Sequence, residues 1–151
     1  MKISSPDFAD NGAMPLKFTR DGENLRPTIR LSDVPPGAKS LVVIMDDPDA
    51  PMGTFLHWTA WNIPPDTSEI PGDSLPDGSV EGPNGRAEIG YTGPCPPAGT
   101  HRYIFHLFAL DKALDLAPDT SRDDLEIKMA GRILSKSELT GLYSSSQTEK
   151  E

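Results

Sequence analysis

The chain is poor in cysteine, in basic residues and in long apolar runs, and each shortage narrows what it can be. A single cysteine, Cys95, among 151 residues excludes an internal disulfide and suits a reducing cytoplasm, which is the expected location. Lys and Arg number 14 against 23 Asp and Glu, giving a net charge of −9. Nucleic acid and anionic membrane surfaces both demand a positive field, so neither is expected as the main partner. The longest apolar run, Leu41 to Met45, is far too short to span a bilayer, and Met1 to Asp7 holds no apolar stretch of signal-peptide length. Neither a leader nor stable membrane insertion is therefore expected. No glycine-rich phosphate loop runs into a helix, and no Cys or His pair stands at zinc spacing. No metal or cofactor is expected.

What is abundant is turn chemistry. Sixteen prolines and thirteen glycines are spread along the chain, as turns between short strands would require. The length fits one domain, residues 1–151. Thr28 to Ser32 is a short strand candidate ended by Pro35-Pro36-Gly37. Ser40 to Asp46 is a strong one, its continuous apolar run indicating cover on both faces, and Asp47-Pro48-Asp49-Ala50-Pro51 stops it. His57 to Ile63, Ala87 to Tyr91 and Arg102 to Leu110 also read as strands, and Glu69 to Arg86 between them as loop. One helix is signalled: Ser121 caps it, Asp123 and Asp124 suit its positive end, and Leu125 and Met129 share a face. It should reach about Leu134, with a last strand over Leu139 to Tyr143 and a polar tail from Ser144. Many strands and one late helix predict an all-β sandwich with the helix packed at one edge.

Three histidines carry the available chemistry. Along the strand from Arg102, period-two alternation puts His101 and Tyr103 on one face and His106 with Arg102 and Ile104 on the other, so His106 is expected away from any site built on His101. His57 and His101 open strands and Asp47 closes one. All three thus sit at strand ends, where side chains converge around a loop-built mouth. Two imidazoles and a carboxylate suit several tasks: donating to an anion, holding a metal, or serving a hydrolytic site. Unrelated strand-end polar residues would give the same spacing.

Asp47-Pro48-Asp49-Ala50-Pro51, then His57-Trp58, then Gly93-Pro94-Cys95-Pro96-Pro97 leading to Gly99-Thr100-His101-Arg102-Tyr103, resemble in order the signatures of the phosphatidylethanolamine-binding protein family, which includes the Raf kinase inhibitor proteins. Gly22-Glu23-Asn24, Val34-Pro35-Pro36-Gly37 and Gly131 to Tyr143 are similar to the prokaryotic branch. The resemblance implies a Greek-key β-sandwich with a short helix near the C-terminus. It also implies a cavity at one end, lined by Asp47, His57, His101 and Tyr103, with Asp49 and Pro96 shaping its rim. Such cavities hold phosphate-like or carboxylate anions. Two departures stand out: Arg26 and Thr28 where relatives usually carry Ser and Pro, and Asn84-Gly85-Arg86 in place of a longer turn. Both arginines are expected to face solvent, the alternative being a place at the mouth.

Cys95 is read as a packing residue. No helix N-terminus is available in its proline-rich loop to lower the thiol pKa, so it is not assigned as a nucleophile. The functional expectation is a non-catalytic module for a small anionic ligand or a phosphorylated group, with a protein partner or a homodimer as further possibilities. The competing readings are a protease or kinase inhibitor acting through surface loops, and a hydrolase using His57, His101 and Asp47.

Overall fold

A computed structural model describes residues 1–145. Among them run the strands β1 (Lys2–Ser4), β2 (Gly12–Ala13), β3 (Ile29–Ser32), β4 (Ser40–Asp47) and β5 (Phe55–Ile63). They are followed by β6 (Glu69–Ile70), β7 (Val80–Glu81), β8 (Thr100–Leu110), the helix α1 (Arg122–Met129) and β9 (Ile133–Ser144). The larger sheet has the order β2-β9-β8-β4-β5-β7, and the smaller one β1-β3-β6. The molecule is thus mostly β, in two sheets with one short helix.

The run in β4 is apolar throughout because both of its faces are covered. Leu41, Val43 and Met45 join Trp58, Phe105 and Leu107 in a cluster completed by Ile3, Ile29 and Ile70 of the smaller sheet. Val42 and Ile44 point the other way, into a second cluster with Trp61, Leu110 and Leu114, closed by Leu125 and Met129 of α1. The helix therefore covers the outer face of the larger sheet rather than packing at one edge, because that face is itself apolar. One consequence matters for the site. Asp47 continues the inward row of β4, and its neighbour Asp46 the outward row.

Several boundaries differ from the sequence reading. The helix stops at Met129, and Gly131, at φ +77°, turns the chain into β9, which begins at Ile133 and not at Leu139. Ala87 to Tyr91 is not a strand. Ala87 sits at φ +61° behind a turn in which Asn84 Oδ1 accepts from Arg86 N–H, leaving only a bridge between Pro83 and Ile89. The stretch from Glu69 to Arg86 is loop except for β6 and β7, and β5 opens at Phe55, two residues before His57. Ser144 belongs to β9, and the tail expected after it lies, beyond Ser145, outside the described residues.

Candidate functional site

Asp47, His57, His101 and Tyr103 border one cavity of about 290 Å³, with Pro96 and Cys95 on its wall. All four are nearly inaccessible, at 4%, 5%, 7% and 1% exposure, so the polar groups lie in a poorly solvated place. Each arrives there for a local reason. Asp47 ends the inward row of β4. His101 and Tyr103 share the inward row of β8 with Phe105, Leu107 and Ala109. His57 depends on a bulge: Met45 pairs with Trp58 but Asp46 pairs with Leu56, so His57 is the unpaired extra residue of β5. A bulge re-aims the side chain it carries, and here it lets His57 and Trp58, consecutive residues, both be buried on the cavity side.

The imidazoles are oriented by their Nδ1 atoms. His57 Nδ1 lies 2.6 Å from the Thr92 carbonyl oxygen. A carbonyl only accepts, so Nδ1 carries the proton. His101 Nδ1 donates in the same way to Asp47 Oδ2 at 2.6 Å. In either neutral ring Nε2 is then an acceptor, and it becomes a donor only when the ring is cationic. Neither Nε2 meets a hydroxyl, thiol or carboxylate of the described residues. The rings of His57 and His101 flank Tyr103, edge-on at 5.2 Å and stacked at 6.4 Å between centroids. Burial lowers the His57 pKa from its usual value, against the opposing pull of the Thr92 carbonyl and Asp47. Burial likewise pushes the Tyr103 phenol up, reinforced by the Asp47 charge. The Tyr103 hydroxyl is buried with no hydrogen-bond partner among the described residues.

The wall opposite the strands is the proline loop, held by residues from far away in sequence. Gly93 N–H donates to Asn24 Oδ1 at 2.7 Å, Arg20 N–H to the Pro94 carbonyl at 2.9 Å, and the Tyr91 hydroxyl to the Phe18 carbonyl at 2.8 Å. A side chain at position 93 would put its Cβ 2.4 Å from that same Phe18 oxygen, so only glycine lets the loop close this tightly. Cys95 is exposed on this loop, its Sγ 3.9 Å from Asp21 Oδ1.

Asp49 and the two arginines end in different places. Asp49 is not part of the cavity wall. It accepts from Arg102 Nε at 3.0 Å, Nη2 at 2.9 Å and the backbone N–H at 2.9 Å, which hold its carboxyl at about 2. Arg86 is exposed and does border the cavity, next to Glu88 at 3.5 Å. Arg26 is not solvated. Its side chain is 9% exposed, paired to Glu81 at 3.4 Å and laid over the Trp58 ring at 4.9 Å, beside a separate cleft shared with Lys17 and Asp73. The solvent expectation fails there because the guanidinium finds acceptors inside the fold: half-buried Glu81, which also accepts from Trp58 Nε1 at 2.7 Å, and the Pro71 and Ser74 carbonyls at 2.8 and 2.6 Å. Arg20 was not anticipated. It borders the cavity and donates to Thr92 Oγ1 at 3.2 Å, and no sequence signal marked it.

His106 lies on the opposite face of β8, as parity predicts. Its Nε2 is 3.0 Å from Asp46 Oδ1 and its Nδ1 3.2 Å from Glu138 Oε2, while Arg122 of α1 reaches Asp46 Oδ2 at 2.8 Å.

A two-sheet β fold with a buried Asp–His cavity at its strand ends defines a class of binding-type proteins. The profile of the phosphatidylethanolamine-binding protein family matches residues 4–144, and the chain belongs to that family. It is similar to a UPF0098 protein of Methanothermobacter thermautotrophicus, 46% identical over 95% of this chain and 98% of that one. A UPF0098 protein of Aquifex aeolicus is 45% identical over 95% of this chain and 88% of its own. Among solved structures, a phosphatidylethanolamine-binding protein homolog of Chlamydia trachomatis superposes with a TM-score of 0.91 at 36% identity, over 95% and 96% of the two chains. E. coli YbcL, a member of the mammalian PEBP family, gives 0.88 at 28% identity, over 95% and 98%.

Proposed function

We propose that the protein is a non-catalytic binding module whose cavity takes a phosphate- or carboxylate-type anion, free or carried by a partner, together with a proton. The observation that carries this reading is the buried, unpartnered Tyr103 hydroxyl between two imidazoles. An unpaired buried hydroxyl costs roughly 1–3 kcal/mol, and an anionic oxygen in the cavity relieves that cost. With both Nδ1 atoms committed to protein acceptors, an oxygen anion bound at Nε2 must bring a proton or take one up. Arg20 and Arg86 add positive charge at the wall of an otherwise acidic molecule. Binding is favoured over turnover because neither imidazole is hydrogen-bonded to a nucleophile, and the Cys95 thiol faces Asp21. Two further parts of the proposal are a cytoplasmic location, supported by the free Cys95 thiol, and Greek-key connectivity of the two sheets, supported by membership of the family.

Calorimetric titration with inorganic phosphate tests it. His101→Ala is expected to weaken phosphate binding by roughly 1.5–3 kcal/mol, the loss of one charge-assisted hydrogen bond, with the fold intact by circular dichroism. Absence of phosphate binding in the wild type, or equal affinity in the variant, would remove the cavity from the proposal.

A further inference from the structure

Arg20 differs from the other arginines in what balances its charge. Of the seven in the chain, six are ion-paired to a carboxylate, Arg26 and Arg86 among them. Arg20 has no such partner among the described residues, in a molecule whose net charge is −9. Its neighbour Asp21 is turned elsewhere: Oδ2 accepts from the Tyr143 hydroxyl at 2.9 Å, and Oδ1 lies 3.9 Å from Cys95 Sγ. Yet Arg20 is held in place. Its N–H donates to the Pro94 carbonyl at 2.9 Å, and its Nη1 to Thr92 Oγ1 at 3.2 Å. Thr92 is buried, and its carbonyl is the one that orients His57. A guanidinium carries five N–H donors, so most of them remain for a ligand. Depth also separates Arg20 from the rest of the site. Asp47, His57, His101 and Tyr103 form a buried floor, whereas Arg20 borders the same cavity and is exposed. At about 290 Å³ the cavity is larger than one phosphate ion fills.

We propose that the cavity takes a small ligand with two acidic groups, a phosphate on the floor and a carboxylate at the mouth, and that Arg20 recognises the carboxylate. This rests on the anion-binding reading of the floor. A carboxylate suits the mouth because the planar guanidinium fork donates to its two oxygens in parallel. The other arginine of the wall, Arg86, is already offset by Glu88 at 3.5 Å. Charge makes the assignment selective. The field of an acidic molecule disfavours each negative charge added to a ligand. A second acidic group therefore improves binding only where a local cation outweighs that field. Arg20 is the arginine of this cavity whose charge no carboxylate offsets among the described residues.

The test is titration calorimetry on the full chain with 2-phosphoglycolate and with ethyl phosphate, which carries a methyl in place of the carboxylate. Physiological ionic strength is used, where a Debye length of about 8 Å screens the distant charges and leaves the contact at the mouth. The wild type should bind phosphoglycolate about fivefold more tightly than ethyl phosphate, the upper range for one exposed ion pair. In Arg20→Gln that ratio should fall to one or below, while the affinity for ethyl phosphate changes less than about twofold. A role for Arg20 in merely steadying Thr92 and His57 would weaken both ligands alike and leave the ratio standing, which would overturn the proposal. So would a wild type that binds the two equally, with the anion-binding reading left intact. A wild type that binds neither overturns that reading and this inference with it.

Discussion

At the scale of single residues, Tyr103 separates binding from stability. Its buried hydroxyl is unsatisfied among the described residues, so Tyr103→Phe should leave the unfolding free energy unchanged or raise it by about 1 kcal/mol in denaturant titrations. The same change should weaken phosphate binding. A variant that unfolds more easily yet binds phosphate as before would assign the hydroxyl a structural role. Asp49 is the converse case: its carboxylate is spent on Arg102 beside the cavity, so Asp49→Ala should shift phosphate affinity far less than His101→Ala in the same titrations. How much of the site is legible in sequence follows from what aims each side chain. Asp47, His101 and Tyr103 are reachable from strand alternation alone. The inward aim of His57 is not, because it depends on a bulge that no residue type announces. Arg20 and Arg26 are harder still. Their partners stand 72 and 55 residues away, so their places are decided by tertiary contacts that local pattern does not carry.

At the scale of elements, α1 and the outer face of the larger sheet are held by packing and by charge. Leu125 is fully buried against Val42, Ile44 and Trp61, so Leu125→Ala should cost roughly 2–5 kcal/mol of stability in urea titrations. The charged part is the set of Arg122, Asp46, His106 and Glu138. Burial alone would push the Asp46 carboxyl up, but His106 and Arg122 outweigh it and hold the carboxyl low. Burial alone would lower His106, but Asp46 and Glu138 outweigh that and raise it. A histidine raised in the folded state stabilises fully below its unfolded pKa of about 6.5, and that contribution fades as pH climbs through the higher folded value. Denaturant titrations across that window should therefore show a fall in stability on the alkaline side that His106→Ala abolishes. An unchanged slope in the variant would assign the fall to another group. The helix cap and the covered run of β4 are plain in sequence because capping and burial leave local signatures. The first half of β9 is not. Its inward positions are Ser135 and Ser137 and its outward ones Lys136 and Glu138, so the apolar alternation that marks a strand is missing until Leu139.

At the scale of the whole molecule, the resemblance in sequence and the matched structures agree on one fold, and the cavity sits where strands β4, β5 and β8 end under the proline loop. A molecule with a net charge of −9 that binds an anion needs local chemistry to overcome its own field. In the proposed reading, two imidazoles whose Nδ1 atoms are already committed supply it, which makes protonation part of binding. Burial keeps the His57 pKa below its usual value, so at neutral pH that ring is uncharged before the anion arrives. Proton uptake on phosphate binding therefore tests the central claim most directly. It is measured by titration calorimetry at neutral pH in buffers of different ionisation enthalpy, and followed as pH is lowered. The account predicts a net uptake of protons with phosphate, affinity that strengthens as pH falls, and loss of the uptake in His57→Ala. Phosphate binding with no buffer dependence and a flat pH profile, the same in His57→Ala and His101→Ala, would contradict it.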